Sequence, residues 1–254
     1  MTQIYSSLAE LSKSGQSAVL CIVMKSQGST PRKAGSKMLV NSDGKIEGSV
    51  GGGKIEYLVI EQALELMRAE TPLIKDYDLG GDLGMQCGGK MTIYFEPINS
   101  VPRLLIFGGG HIGKVLAKMA LNYRFQVVLI DNREEVFQQK EEGITYILDS
   151  FPQAYQNLEY REDDYIVITT YKHTYDEEIA AWVLPQPHAY LGMMASKRKA
   201  ALARKKWAER GIDQRLIDQV FSPIGLSMQC ETPEEIALSV MSQLVDELNK
   251  SSKK

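Results

Sequence analysis

A short apolar run that breaks into glycines and continues as a helix constrains the fold of this chain more than any other feature. Residues 104–107 suit a buried strand, and residues 114–120 suit a packed helix. Between them, Gly108, Gly110 and Gly113 have the G-x-G-x-x-G spacing of dinucleotide-binding folds. There the first glycine permits a tight turn, the second admits a pyrophosphate, and the third brings helix and strand together. The pattern predicts a helix N-terminus that offers N–H groups to an anion.

A second strand follows at the distance that a βαβ unit requires. This strand is Gln126–Asp131, in which residues 127–130 are apolar. Asp131, at its end, is placed to accept hydrogen bonds from ribose hydroxyls. Asp131 favours an unphosphorylated ribose, but Arg133 blurs that preference, so NAD, NADP and a pterin nucleotide stay open. His111 lies within the glycine loop and is counted with the cofactor-binding residues. The alternative is a Rossmann-like fold whose nucleotide site is empty or repurposed, because a fold does not settle a function.

Three further apolar segments, at 143–149, 164–170 and 188–192, extend this pattern. Helical segments lie between several of them, and such alternation predicts a parallel sheet with right-handed crossovers. Ligands of these sheets bind beyond the carboxyl ends of the strands. The polar residues that follow each strand are therefore expected along one edge of the sheet.

One group at this edge suits a phosphate. Ser196, Lys197 and Arg198 offer a hydroxyl, two cations and the start of a helix. The alternative is an ordinary capped helix on a wet surface. Further along the chain, Thr232 and Glu235 have the spacing of a capping box, which predicts a final helix through about residue 248.

The N-terminal part of the chain has a different pattern. A helix, a buried strand over 18–24, a hairpin, a second helix and two further strands follow one another. Two prolines within 97–102 mark a domain boundary. We therefore expect an α/β protein with a smaller α+β N-terminal domain over residues 1–99 and a Rossmann-like parallel-sheet domain over residues 103–254.

Two N-terminal segments have the composition of anion-binding loops. Ser29, Thr30 and Arg32 lie among turn formers, in either a plain surface loop or a loop whose donors bind phosphate-like oxygens. Three glycines then join a strand to a helix, as either a flexible turn or a second helix N-terminus open to an anion. These glycines are Gly51, Gly52 and Gly53.

The cysteine at position 87 lies in a glycine-rich loop. Most lone cysteines are inert core residues. Cys87 differs because Gly88 and Gly89 leave it without side-chain cover and let another molecule approach. A nearby Arg32 or helix N-terminus would give the thiol thiolate character. From the residues alone, an inert and a reactive Cys87 both stay open.

Composition argues against several classes of protein. The net charge of −3 over 254 residues argues against a nucleic-acid partner held by a basic surface. No apolar run approaches the roughly 20 residues of a membrane helix, and we expect a cytoplasmic protein. The three cysteines are too far apart for a disulfide framework or a zinc site. His173 and Asp176 share a helical spacing, but with His111 they make no complete ligand set, so no metal is expected.

Taken in order along the chain, five motifs resemble those of the XdhC/CoxI family of xanthine dehydrogenase accessory factors. The resemblance covers nearly the whole chain, and five motifs in one order are far more specific than any single one. They are GSTPR at 28–32, GSVGGG at 48–53, QCGG at 86–89 with EP at 96–97, GGGHIG at 108–113, and SPIGL at 222–226 with ETPEEIA at 231–237.

The resemblance implies a carrier rather than an enzyme with turnover. Such a protein would bind molybdenum cofactor as cargo, support its sulfuration with a cysteine desulfurase, and insert it into the apoenzyme of a molybdenum hydroxylase. It would also form a homodimer. By position, Ser29, Thr30, Arg32 and the three glycines at 51–53 would hold phosphate, and Cys87 would face molybdenum or a transferred sulfur.

Two other functions remain as alternatives. An NAD(P)-dependent oxidoreductase is motivated by the glycine loop and Asp131, and it needs a proton donor such as His111 or His173. A nucleotide-sensing regulatory module would bind the same nucleotide without chemistry of its own. That module predicts nucleotide binding that survives the loss of Cys87.

Overall fold

Two five-stranded sheets, one in each of two units of the chain, organise the fold. The units are Met1–Val101 and Pro102–Lys254. In this computed structural model, the residues described are 2–14, 16–67, 69, 71–80, 88–99 and 101–251.

The sheet of the first unit is antiparallel and carries a helix on each face. Its elements are α1 (Thr2–Ser14), β1 (Ala18–Gln27), β2 (Lys37–Asn41), β3 (Ile46–Gly48), α2 (Gly53–Glu65), β4 (Leu73–Asp78) and β5 (Lys90–Ile98), with the strand order β3-β2-β1-β5-β4. Val19, Cys21 and Val23 belong to the core that includes α2, whereas Ala18 and Leu20 belong to the core that includes α1. This alternation follows from the two-residue period of a strand.

The second unit is a parallel sheet with helices on both faces. Its elements are β6 (Arg103–Phe107), α3 (His111–Ala120), β7 (Gln126–Asp131), a 3-10 helix (Glu134–Phe137), β8 (Ile144–Leu148), α4 (Phe151–Asn157), β9 (Asp164–Ile168), α5 (His173–Val183), β10 (Tyr190–Met193), α6 (Lys197–Glu209), α7 (Gln214–Asp218) and α8 (Pro233–Ser251). The strand order is β10-β9-β6-β7-β8, and every pairing is parallel. The order reverses direction beside β6, and such a switch point is where ligands of these sheets bind.

The helices of the second unit cover a sheet that is buried on both sides. Leu105 and Phe107 of β6 pack into the core that includes α4, α5, α6 and α7, whereas Leu104 and Ile106 pack into the core of α3 and α8. A strand buried on both faces reads as a continuous apolar run, which is the pattern that predicted it.

The last helix is attached to the sheet by hydrogen bonds as well as by its apolar face. Thr232 and Glu235 form the expected capping box: Glu235 N donates to Thr232 Oγ1 at 3.2 Å, and Thr232 N donates to Glu235 Oε2 at 3.0 Å. Within α8, Gln243 Oε1 accepts from the backbone N–H of Gly225 at 2.7 Å and from the hydroxyl of Tyr190 at 2.8 Å.

The predicted fold class is therefore confirmed: an α+β unit with an antiparallel sheet precedes a Rossmann-like unit with a parallel sheet. Among the helices that the structure describes, none combines the length and the apolar composition needed to cross a membrane.

Candidate functional site

The three glycines of the G-x-G-x-x-G motif differ in their surroundings. Gly108 has φ +110°, and a Cβ there would lie 2.4 Å from the carbonyl oxygen of Thr169. A Cβ on Gly113 would lie 1.9 Å from the carbonyl oxygen of Gly108. Around the Cβ position of Gly110, by contrast, the described residues place no heavy atom within 4 Å apart from those of its chain neighbours. Gly108 and Gly113 thus serve the close packing of strand and helix, while Gly110 leaves the N-terminus of α3 open, with His111 exposed as its first residue.

Asp131 is buried at the carboxyl end of β7 with both carboxylate oxygens occupied. Oδ2 accepts from the backbone N–H of Gly109 at 2.7 Å and from Arg133 Nη2 at 2.8 Å. Oδ1 accepts from the backbone N–H and the Nε of Arg133, at 3.0 and 2.9 Å. Burial by itself would raise the pKa of Asp131, but the hydrogen bonds from Arg133 and Gly109 outweigh it, and the pKa is lowered. A ribose hydroxyl at Asp131 would have to share an already paired carboxylate.

Arg133 links the strand end of β7 to that of β9. Its guanidinium carbon lies 4.3 Å from the centroid of the Tyr171 ring, an arrangement for a cation–π contact. Asn132 Nδ2 donates to the Tyr171 hydroxyl at 3.2 Å. Tyr171 is 51% exposed. Its ring therefore adds an aromatic surface beside the Arg133 guanidinium at this edge of the sheet.

The group at the start of α6 is arranged as a capped helix. Ser196 is the N-cap, and its Oγ accepts from the backbone N–H of Lys199 at 3.4 Å. Lys197 and Arg198 are exposed in the first turn. The cations therefore surround the positive end of the helix dipole, where an anion is favoured.

Sequence reasoning missed an interaction between α5 and α6. His173 Nδ1 lies 3.2 Å from Asp176 Oδ2, and His173 Nε2 is in contact with Lys199 Nζ. Thr170 completes the chain of contacts, since its hydroxyl donates to Asp176 Oδ1 at 2.5 Å. Burial raises the pKa of Asp176, and the hydrogen bonds from Thr170 and His173 only partly offset that effect. The spacing of His173 and Asp176 signalled this pair, but no local pattern points to Lys199.

In the first unit, three glycine-containing segments from different parts of the chain meet. A Cβ on Gly89 would lie 2.5 Å from the carbonyl oxygen of Ser29 and 2.8 Å from Thr30 Cγ2. A Cβ on Gly51 would lie 2.6 Å from Pro31 Cγ. The segment at 28–32 therefore packs against both the glycine joint before α2 and the segment that follows position 87. Ser29 and Arg32 are exposed, as is Gly88.

The N-terminus of α2 is partly occupied by a side chain of the same helix. Glu56 Oε2 accepts from the backbone N–H of Gly52 at 2.6 Å and from Ser49 Oγ at 2.9 Å. Ser49 Oγ in turn accepts from the N–H of Gly51 at 3.2 Å. An anion arriving at these glycines would meet the Glu56 carboxylate. Apart from chain neighbours, no atom of the part of the chain that the structure describes lies within 4 Å of a Cβ position at Gly52 or Gly53.

The cysteines differ in their surroundings. Cys87 lies outside the described residues. Cys21 is buried, and burial raises the pKa of its thiol to about 12, so it stays protonated at neutral pH. Cys230 donates to the carbonyl oxygen of Glu235 at 3.4 Å. Over the described ranges, no group of three or more His, Cys, Asp or Glu side chains is arranged to hold a metal ion.

An antiparallel α+β unit followed by a Rossmann-like unit with an open glycine loop defines a class of two-domain proteins, and comparison with known families makes it specific. Residues 104–244 match the XdhC Rossmann domain, and residues 11–78 match the XdhC and CoxI family. The chain belongs to the XdhC/CoxI family, which confirms the resemblance seen in its motifs.

Several named proteins are similar to this chain. Uncharacterized protein YqeB of Escherichia coli is 32% identical over 97% of this chain, but the chain spans only 46% of the length of YqeB. A Bacillus subtilis protein named as a probable xanthine dehydrogenase subunit is 22% identical and covers 96% of this chain and 97% of its own length. The molybdenum cofactor insertion chaperone PaoD of Escherichia coli is also 22% identical, over 91% of this chain and 83% of its own length.

A solved structure has the same fold. A Bacillus halodurans protein, described as a xanthine dehydrogenase, superposes with a TM-score of 0.52 over 96% of this chain and 95% of its own, at 21% identity. At that identity the likeness supports the fold alone.

Proposed function

We propose that this protein binds molybdenum cofactor, supports its sulfuration and inserts it into the apoenzyme of a xanthine dehydrogenase-type molybdenum hydroxylase. Membership of the XdhC/CoxI family and the similarity to a protein named as a molybdenum cofactor insertion chaperone support this function. The structural observation that carries it is the meeting of the segments around Ser29, Gly51 and Gly89, because Gly89 is two residues from Cys87 in the sequence.

The chemistry of the cargo suits these groups. Molybdopterin carries a phosphate, which needs backbone N–H groups, hydroxyls or cations, and a dithiolene that holds molybdenum. Arg32 is exposed and, among the described residues, has no carboxylate partner. In this proposal Ser29, Thr30 and Arg32 bind the phosphate, and the Cys87 thiolate contacts molybdenum or a transferred sulfur.

The proposal extends to partners. The recipient is a molybdenum hydroxylase apoenzyme, and a cysteine desulfurase supplies the sulfur. The carrier acts in the cytoplasm as a homodimer, without a nucleic-acid or membrane partner. Insertion rather than turnover is its role.

Equilibrium binding tests the proposal directly. The intact protein is titrated with molybdenum cofactor released from a purified molybdoenzyme, and retention is compared with that of Cys87→Ser. We expect Cys87→Ser to weaken retention by about tenfold or more, since it removes a charged contact. Cys230→Ser is the matched control, because its thiol donates to the carbonyl oxygen of Glu235 in the first turn of α8. If Cys87→Ser retains the cofactor as the parent protein does, Cys87 has no part in holding it.

A nucleotide at the second unit is the other candidate function, and the open backbone at Gly110 favours it. Parallel titrations with NAD(H) and NADP(H) distinguish the functions. Binding of a nicotinamide nucleotide alone, unchanged in Cys87→Ser, would replace the carrier function by an oxidoreductase or a nucleotide-sensing module. Hydride transfer to an added acceptor would then separate those two.

A further inference from the structure

A pocket of about 150 Å³ lies between α5 and α6, beyond the carboxyl ends of β9 and β10. One wall is apolar and includes Met193, Met194 and Leu202. The polar residues of the lining are His173, Asp176, Glu177, Lys199 and Lys206. None of these residues belongs to the glycine loop or to the segments assigned to the molybdenum cofactor. The pocket therefore raises a separate question about what it binds.

The imidazole at this pocket is held in one orientation. The backbone N–H and the hydroxyl of Thr170 both donate to Asp176 Oδ1, at 3.0 and 2.5 Å. The other oxygen of this buried carboxylate lies 3.2 Å from His173 Nδ1. A carboxylate partner favours the tautomer with the proton on Nδ1. The other ring nitrogen, Nε2, faces Lys199.

The two lysines of the pocket differ in their charge balance. Lys206 Nζ lies 2.6 Å from Glu177 Oε2 and is neutralised by it. Lys199 has no carboxylate within ion-pair distance among the residues that the structure describes, and its partner is the imidazole of His173. The Lys199 ammonium, which has three donors, thus contacts an imidazole nitrogen rather than a carboxylate at this half-apolar pocket.

We propose that this pocket binds the carboxylate or phosphate group of a small organic anion through Lys199, with the apolar part of the ligand on Met193, Met194 and Leu202. An anionic oxygen is a stronger partner for the Lys199 ammonium than an imidazole nitrogen, because both charges then assist the hydrogen bond. A small pocket with one apolar wall and a few polar groups accommodates a single ring or a short chain.

Titration of the intact protein with benzoate, acetate and inorganic phosphate, at constant ionic strength, tests this proposal. Binding is followed by NMR through the methyl signals of Met193 and Met194 and the ring signals of His173. We expect saturable shifts, with benzoate binding more tightly than acetate because its ring covers the apolar wall. Inorganic phosphate is titrated in parallel with the two carboxylates. The anion that saturates the shifts at the lower concentration identifies whether the ligand carries a carboxylate or a phosphate.

Variants decide whether Lys199 carries the interaction. Lys199→Gln is expected to weaken binding by about tenfold or more, the loss of one charge-assisted hydrogen bond. Lys205→Gln on the same helix is the matched control, since Lys205 is exposed and pairs with Glu209 outside the pocket. Lys199 itself is exposed, so its substitution leaves the core intact.

A second variant keeps the test independent of Lys199. Leu202→Glu places a negative charge on the half-exposed apolar wall. We expect its repulsion of the anions to weaken their binding about as much as Lys199→Gln does. The proposal is overturned if none of the three anions shifts the Met193 and Met194 signals. Equal binding by the Lys199→Gln and Lys205→Gln proteins would also overturn it.

Discussion

At the scale of single residues, two glycines of the G-x-G-x-x-G motif serve backbone packing and the third leaves the backbone accessible. Gly108 and Gly113 face backbone atoms of the same unit and leave no room for a side chain, while Gly110 faces open space. These are the roles that the glycine spacing predicts for the first, third and second positions. The same motif therefore contains both structural positions and a position that a ligand would use.

Substitution by alanine should distinguish these positions. Gly113→Ala places a Cβ 1.9 Å from a carbonyl oxygen, and we expect it to lower the free energy of unfolding by about 3 kcal/mol or more. Gly110→Ala adds a Cβ in open space at a φ of −66°, so its cost should stay within about 1 kcal/mol. Urea unfolding measures both changes. Equal destabilisation by the two substitutions would contradict the assignment.

Other residue roles lay beyond what the sequence could predict. The ribose contact of Asp131 stays a prediction. Its pairing with Arg133 depends on the turn after β7, and the hydrophobic periodicity of the sequence does not predict that turn. Lys199 meets His173 across 26 positions of the chain. Such contacts are set by the packing of helices onto the sheet. They become visible only when the strand ends are placed side by side.

At the scale of elements, the strands of both sheets follow closely from hydrophobic patterning. The expected strand at 164–170 is observed as Asp164–Ile168, and that at 188–192 as Tyr190–Met193. Patterning succeeds for these two strands because they are buried throughout and bounded by polar turns. It could not predict that α8 returns to the sheet beside α3, because the tail motifs reveal a helix start but not the surface against which it packs.

The attachment of α8 gives a prediction at this scale. Gln243 Oε1 is the shared acceptor for Gly225 N–H and the buried Tyr190 hydroxyl. Gln243→Ala leaves these donors without that acceptor, and we expect it to lower the free energy of unfolding by about 1–3 kcal/mol. Ser242→Ala is the neighbouring control, since its hydroxyl donates only within the helix, to the carbonyl oxygen of Leu238. Indistinguishable denaturation midpoints for the two variants would exclude the attachment role.

At the scale of the whole molecule, each unit encloses its own core. The clusters that fill the second unit contain residues of that unit alone, and the same is true of the first. Composition and the two prolines at 97–102 already pointed to a boundary, because the pattern changes there from antiparallel hairpins to strand–helix alternation.

The separate cores predict independent folding. A fragment of residues 102–254 should fold alone, because its parallel sheet is covered on both faces by its own helices. Near-ultraviolet circular dichroism and thermal unfolding measure this, and a cooperative transition is expected. A fragment with helical signal but no cooperative transition would show that the second unit depends on the first.

The carboxylate of Glu56 has a consequence for any anion that reaches the glycines before α2. It belongs to the helix whose N-cap N–H, that of Gly52, it accepts from, so it competes at a high effective concentration. A phosphate that binds there must therefore displace the Glu56 carboxylate, because the N–H group is already hydrogen-bonded. Competition of this kind lowers the affinity for the phosphate and speeds its dissociation, because the Glu56 carboxylate replaces the phosphate at the N–H group. For a protein proposed to pass its ligand on, a built-in competitor favours release.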